Sequence, residues 1–139
     1  MQIKAHVENE YQRHTVELRT NGSQHSLSVA PRANGFGSSA NGAELLCLAA
    51  ATCYCNDIYR EAEKRSMVVV RVEVEVRAEF GAAGEPAKSL RYQAKVAARA
   101  SESDIRALML HTDQVAEIQN TLRRGMDVHF DEPVAERVA

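Results

Sequence analysis

Apolar and polar residues alternate through the first thirty positions of the chain. Three short stretches carry this period of two, and their apolar members are Ile3, Ala5, Val7, Val16, Leu18, Leu27 and Val29. Such alternation predicts β-strands with one buried face. Asn21-Gly22 separates the second stretch from the third and predicts a tight hairpin turn, because both residues tolerate positive φ. Pro31 ends the third predicted strand, and the Gly-, Ser- and Asn-rich stretch 32–42 predicts a loop.

A long helix is predicted from Ala43 to about Arg65, because no residue in this range breaks a helix. Asn41 followed by Glu44 resembles a capping box, in which each side chain binds the backbone N–H of the other residue. The first half, A-E-L-L-C-L-A-A-A-T-C-Y-C, is apolar on every side and is expected to be buried all round, while the second half is amphipathic. A small domain rarely encloses three turns of helix alone. We therefore expect a homodimer with this helix near the interface.

Two longer strands are predicted after the helix. The first alternates apolar and charged residues from Val70 to Phe80, and the second repeats this pattern from Leu90 to Ala98, beyond the turn G-A-A-G-E-P. The pattern predicts an antiparallel pair with one buried and one solvated face. The charged rows are expected to pair across the strands rather than to form a binding surface.

The C-terminal third predicts two helices and one short strand. Ser101 or Ser103 is positioned to cap the first helix, and Gly125 to end the second. A last strand is predicted over 127–130. The order is then β-β-β-α-β-β-α-α-β, an α+β arrangement. At 139 residues, we expect a single domain over 1–139.

Composition excludes several classes of protein. Hydrophobic residues make up 45% and charged residues 26%, which is ordinary for a globular protein. A net charge of -2 provides no basic surface for nucleic acid or an anionic membrane. Neither a signal segment nor an apolar run long enough for a membrane span is seen. We expect a cytoplasmic protein.

The candidate chemistry lies in three closely spaced cysteines, Cys47, Cys53 and Cys55. An odd, clustered set does not indicate a disulfide framework. Two interpretations stay open: small buried hydrophobic residues, or a reactive thiol. Cys53 and Cys55 point about 200° apart on a helix, so they lack metal-ligand spacing. The five histidines are scattered, and no phosphate loop is found, so no metal or cofactor is expected.

The segment A-E-L-L-C-L-A-A-A-T-C-Y resembles the central helix of the OsmC/Ohr family, the osmotically inducible and organic hydroperoxide resistance proteins. In that helix a Glu-Leu pair precedes the peroxidatic cysteine and an aromatic residue, which match Cys53 and Tyr54. The hairpin from Asn21 to Pro31 and the segment 107–128 are also similar to the family. The resemblance implies an OsmC-like α+β fold, with antiparallel sheets packed around a long central helix in an intertwined homodimer.

The resemblance also implies a mechanism. In the family a thiolate attacks the terminal oxygen of an organic hydroperoxide, and a second cysteine captures the resulting sulfenic acid. An arginine in the first hairpin turn, held by a glutamate at the start of the central helix, stabilises the thiolate. These roles fall on Arg13 and Glu44, although Arg13 fits a solvated turn arginine equally well. Glu44 stands one position late, because the family's glutamate matches Ala43, and Gly42 replaces a proline.

The family's second cysteine matches Ala116, so the resolving thiol is absent. Cys47 cannot replace it within an intact helix, since six residues separate it from Cys53 by about 9 Å along the axis. Two functions stay open. One is an enzyme, a hydroperoxide reductase that uses Cys53 and an external thiol reductant. The other is a non-catalytic OsmC-like dimer that binds a small apolar molecule.

Overall fold

The computed structural model describes residues 1–138, which form an α+β arrangement of five strands and three helices. Within them the elements are β1 (Ile3–Glu10), β2 (Arg13–Thr20), β3 (Ser23–Ser26), α1 (Gly42–Lys64), β4 (Val69–Phe80), β5 (Ala87–Ala98), α2 (Glu102–Val115) and α3 (Glu117–Arg124). The chain divides into two compact units, Met1–Leu48 and Ala49–Ala139. The prediction of one domain is left open by this division. No helix over residues 1–138 is long and apolar enough to cross a membrane.

The first unit contains an antiparallel sheet in the order β1-β2-β3. The predicted hairpin is confirmed: Thr20 pairs with Ser23, and Asn21 and Gly22 have φ of 49° and 86°. The third strand is shorter than predicted, because its pairing with β2 ends where Ser26 meets Glu17. The chain then leaves the sheet, so the predicted strand residues Leu27 and Val29 have no place in it.

Helix α1 begins at Gly42 with the predicted capping box. The Asn41 side chain accepts a hydrogen bond from Glu44 N at 2.8 Å, and the Glu44 carboxylate accepts one from Asn41 N at 3.1 Å. The buried positions recur at helical spacing and are Ala50, Tyr54, Asp57, Ile58, Glu61 and Ala62. Within one chain the first half is not buried all round, since Leu48 is 53% exposed, and its burial against a second copy stays a prediction. A single chain therefore covers only one side of this half of the helix.

The second unit packs a β-hairpin against helical side chains. Tyr54, Ile58, Ala62 and Leu108 form the buried core, and alternate residues of β4 and β5 pack against them. The predicted alternation holds along β5 and most of β4. It fails at both ends of β4, where register irregularities lie between Val69 and Arg71 and between Glu79 and Phe80. Val70 is 63% exposed and Phe80, also predicted on the buried face, is 42% exposed.

The two C-terminal helices follow the prediction, but the last strand does not. Ser101 caps α2 by accepting from Asp104 N, and Gly125, with φ of 75°, follows the last residue of α3. Residues 127–130 form no strand, which is a correction to the predicted order. A strand needs a neighbour for its backbone hydrogen bonds, and residues 1–138 of one chain provide none there. Phe130 is accordingly 91% exposed.

Candidate functional site

Cys53 lies half-buried on α1 and faces two carboxylates. Its Sγ is 3.5 Å from Oδ2 of Asp57, one turn later on the same helix. It is also 3.9 Å from Oε2 of Glu117, the first residue of α3. A thiol has one proton, so it can donate to only one of these oxygens at a time.

Arg60 holds the other oxygen of each carboxylate. Its Nη1 is 2.9 Å from Oδ1 of Asp57 and 3.2 Å from Oε1 of Glu117. Both carboxylates therefore bridge the sulfur on one side and the guanidinium on the other. We call these four residues, Cys53, Asp57, Arg60 and Glu117, the Cys53 cluster.

Arg60 is fixed in turn by a buried carboxylate. Glu61 is 4% exposed, and its Oε1 accepts from Arg60 Nε at 3.0 Å and from Lys64 Nζ at 2.9 Å. Its second oxygen lies 3.2 Å from Nε2 of His111. Hydrogen bonds from Lys64, Arg60 and His111 lower the pKa of Glu61 to about 2. Glu61 is therefore an anion at neutral pH and restrains the orientation of Arg60.

The surroundings of Cys53 favour the protonated thiol. Burial raises the pKa of Cys53 above its usual range, and the negative charges of Asp57 and Glu117 raise it further. The backbone N–H of Ile118 acts in the opposite direction. This N–H belongs to the first turn of α3, where the N-cap Ala116 makes no side-chain capping bond. A helix N-terminus stabilises a nearby anion, so the sulfur receives one favourable influence and several unfavourable ones.

The two carboxylates of the cluster are not equivalent. Burial and the negative charge of Glu117 raise the pKa of Asp57. The backbone N–H of Glu117 itself and the positive charge of Arg60 lower the pKa of the Glu117 carboxyl. The Asp57 side chain is 7% exposed and that of Glu117 is 62% exposed. Asp57 is therefore the better shielded of the two, and its surroundings favour its protonated form.

The ligand-type atoms of Cys53, Asp57 and Glu117 all lie within 4.8 Å of one another, a spacing that a metal ion could bridge. Arg60 already supplies positive charge to both carboxylates at hydrogen-bond distance. This single guanidinium offsets part of the negative charge of the two carboxylates.

Arg13 and Glu44, the other two predicted site residues, make contacts of their own in the first unit. Arg13 opens β2, and its Nη2 lies 3.3 Å from Glu8 and 3.0 Å from Glu10. The Glu44 carboxylate accepts a hydrogen bond from the Asn41 N–H in the capping box of α1. The carboxylates that contact Arg13 within residues 1–138 of one chain are thus Glu8 and Glu10. The catalytic roles of Arg13 and Glu44 stay predictions.

Cys47, Cys53 and Cys55 are free thiols. Cys55 lines a shallow surface depression with Ala51, Thr52, Asn56 and Val74. Ala116, which replaces the family's second cysteine, is fully buried directly before α3. The residue after it, Glu117, is the one that reaches Cys53.

Sequence reasoning found Cys53 but missed the other three residues of the Cys53 cluster. Asp57 and Arg60 stand four and seven positions after Cys53, and this spacing places all three on one helical face. That signal was available in the sequence. Glu117 gave no comparable signal, because it approaches Cys53 only through the packing of α3.

The sequence profile of the family described as OsmC-like protein matches residues 35–131. The chain belongs to the OsmC-like family. An OsmC-like protein from Mycoplasma pneumoniae aligns with a TM-score of 0.59 at 15% identity, over 86% of this chain and 87% of its own. An OsmC-like hydroperoxide resistance protein from Jannaschia sp. CCS1 gives 0.59 at 14% identity, over 97% and 93%.

A third solved structure of the same fold is an organic hydroperoxide resistance protein OsmC from Legionella pneumophila. It aligns with a TM-score of 0.52 at 22% identity, over 87% of both chains. At these identities the likeness establishes the OsmC-like fold. A search among curated proteins found no significant match.

Proposed function

We propose that this OsmC-like protein reduces organic hydroperoxides with Cys53 and depends on an external thiol for turnover. The observation that carries the proposal is the Cys53 cluster: a half-buried sulfur with hydrogen-bonding partners, on the long helix of an OsmC-like fold. Two solved structures of this fold bear names that refer to hydroperoxide resistance. We place the protein in the cytoplasm, where small thiols are kept reduced.

The reaction is a two-electron oxidation of sulfur. The sulfur attacks the terminal oxygen of the hydroperoxide, the O–O bond breaks, and the products are a cysteine sulfenic acid and an alcohol. An external thiol then displaces water from the sulfenic acid to form a mixed disulfide. A second thiol molecule releases Cys53 and leaves as a disulfide with the first. An external reductant is required because Ala116 replaces the resolving cysteine.

Arg13 is proposed as a cation that favours the thiolate, with Glu44 as a residue that positions it. Support comes from the resemblance of the first hairpin and of the helix start to those of the family. If Arg13 has this role, Arg13→Ala should raise the pKa of Cys53, measured by the pH dependence of alkylation. Arg19→Ala, an arginine of the same strand, is the matched control. An unchanged pKa would remove Arg13 from the site.

A second candidate function is a non-catalytic dimer that binds a small apolar ligand. The specific observations in its favour are the raised pKa of Cys53 and the absence of a thiol at position 116. A protein that does not need its thiolate can tolerate two carboxylates beside the sulfur.

One experiment separates the two functions. In a Cys47→Ser/Cys55→Ser background, the pKa of Cys53 is measured by alkylation, and cumene hydroperoxide is then added. The reductase should give a sulfenic acid that a dimedone-type reagent traps and that external thiol reverses, and Cys53→Ser should abolish both signals. If no sulfenate forms at any pH at which the protein stays folded, the proposed reductase function is wrong and the ligand-binding function is favoured.

A further inference from the structure

One helical turn after Cys53, α1 contains a group that can exchange a proton with the Cys53 sulfur. We propose that Asp57 is the proton acceptor and donor for Cys53, and that Arg60 positions it. This role rests on the proposed hydroperoxide reduction. Its basis is geometric: Asp57 Oδ2 lies 3.5 Å from the sulfur while Asp57 Oδ1 is held 2.9 Å from Arg60.

Asp57 is better suited to this task than Glu117. Its oxygen is nearer to the sulfur, 3.5 Å against 3.9 Å. Its side chain is 7% exposed against 62%, so bulk water competes less for the transferred proton. The pKa of Asp57 is raised while that of Glu117 is lowered, so the surroundings favour the protonated form of Asp57 and disfavour that of Glu117.

The proposed step balances without a further reactant. The Cys53 S–H gives its proton to the Asp57 carboxylate as the sulfur attacks the terminal oxygen of the hydroperoxide. A sulfur–oxygen bond forms, the O–O bond breaks, and the leaving alkoxide takes the proton from Asp57. The products are the sulfenic acid of Cys53, the alcohol and a regenerated Asp57 carboxylate. Sulfur is oxidised and the peroxide is reduced by two electrons.

Arg60 is a positioning residue in this scheme. It does not contact the sulfur within the described chain, but it fixes the second oxygen of Asp57 and offsets part of the negative charge of Asp57 and Glu117. Glu61 holds the Nε side of the same guanidinium. The charged and titratable groups around the sulfur are thus Asp57 and Arg60 on α1 and Glu117 on α3, together with the Ile118 N–H.

The wild-type pH profile provides the first test, in the Cys47→Ser/Cys55→Ser background with cumene hydroperoxide. If the thiolate alone reacts, the rate of sulfenate formation falls about tenfold per pH unit below the pKa of the thiol. If Asp57 accepts the proton, the rate forms a plateau that extends below the thiol pKa and falls where Asp57 becomes protonated. A profile without a plateau overturns the role of Asp57, and this test needs no folded variant of the cluster.

Matched variants provide the second test. Asp57→Asn and Glu117→Gln each remove one negative charge beside the sulfur, so both should lower the pKa of Cys53 in the alkylation assay. We expect opposite effects on the neutral-pH rate with cumene hydroperoxide. Glu117→Gln should increase it, and Asp57→Asn should decrease it about 100-fold and remove the plateau. Arg60→Lys should retain part of the plateau in the pH–rate profile, and Arg60→Gln should lose it.

The outcomes separate this role from the proposed function. If wild type forms no sulfenate at any pH, hydroperoxide reduction fails and the role of Asp57 fails with it. If wild type reacts but Asp57→Asn is as fast as Glu117→Gln, only the role of Asp57 is overturned. A wild-type plateau that Asp57→Asn abolishes supports both.

Discussion

The buried charged residues of α1 are stabilised by the oppositely charged side chains that surround them. Glu61 shows this most directly, since a carboxylate that is 4% exposed contacts a guanidinium, an ammonium and an imidazole. Burial of a lone charge is costly, but paired and hydrogen-bonded charges are tolerated. The cost of burying Glu61 is offset by Arg60 and Lys64, and the same contacts hold Arg60 against the Cys53 cluster.

Glu61→Gln should therefore lower the stability of the protein in a pH-dependent way. The folded-state pKa of Glu61, about 2, lies below its ordinary value of 4.5. Its contribution is thus fully present above about pH 4.5 and is lost as the pH falls towards 2. At pH 7 we expect the variant to melt roughly 3 to 10 °C lower than wild type. Thermal unfolding followed by circular dichroism at several pH values measures the difference.

The exposed neighbour Glu63 provides the control. Glu63→Gln should leave the melting temperature nearly unchanged across the same pH range, because surface substitutions have small effects. A difference between wild type and Glu61→Gln that stays constant down to pH 2 would contradict the assigned ionisation of Glu61.

At the scale of elements, local signals in the sequence predicted where most helices and turns begin and end. The Asn41–Glu44 capping box, the Asn21-Gly22 turn, the Ser101 cap and the stop at Gly125 are each formed by residues within a few positions of one another. Local hydrogen bonding and backbone preference suffice for such features.

Features that depend on distant parts of the chain were predicted less well. Val70 reads as a buried strand residue, but the irregularity that turns it outward arises from its register with β5. The strand expected over 127–130 lacks a neighbour within the described residues. The same distinction explains the site: Cys53 was found by its helix and its family resemblance, whereas Glu117 required the packing of α3 against α1.

The start of α1 allows the capping role of Glu44 to be separated from a role beside Arg13. Glu44→Ala removes the Glu44 half of the capping box and the charge, leaves the Asn41 cap in place, and should cost roughly 0.3 to 1.5 kcal/mol of unfolding free energy. Glu44→Gln keeps a side chain that can complete the capping box and removes only the charge. If Glu44 acts through the cap alone, Glu44→Gln should retain wild-type stability in urea unfolding and wild-type alkylation of Cys53.

Changed alkylation in Glu44→Gln with unchanged stability would instead support the predicted contribution of Glu44 to the site. Equal loss of stability in both variants would show that the carboxylate charge, and not the capping geometry, stabilises the start of α1.

The start of α3 provides a test of the missing resolving thiol. Ala116 directly precedes Glu117, whose side chain reaches Cys53. Ala116→Cys restores the cysteine of the family pattern at this position. We expect one equivalent of cumene hydroperoxide to convert this variant, in the Cys47→Ser/Cys55→Ser background, to an intramolecular disulfide that mass spectrometry detects as the loss of two hydrogens. The protein with Ala116 in the same background should be oxidised only as far as the Cys53 sulfenic acid. A sulfenic acid that persists in Ala116→Cys would contradict the expected placement of residue 116 beside Cys53.

At the scale of the whole molecule, exposed apolar residues are the feature that a single chain leaves unexplained. Leu48 on α1 is 53% exposed within a helix half whose sequence is apolar on every side. The segment that follows α3 adds Val128, Phe130 and Val134, each at least 90% exposed. Exposed apolar side chains are expected where a second copy covers a helix, and Leu48 supports the prediction that two copies associate through α1.

We therefore expect Leu48→Glu to convert a homodimer to monomers. A stable homodimer buries at least about 1,200 Å² in total, and a charge placed in its apolar centre would be buried without a partner. Sedimentation velocity measures the change. Leu110→Glu is the matched control, because Leu110 is a helical leucine of similar exposure, 58%, on α2. A wild-type protein that sediments as a monomer at high concentration, or a Leu48→Glu variant that remains dimeric while Leu110→Glu dissociates, would exclude α1 as the site of association.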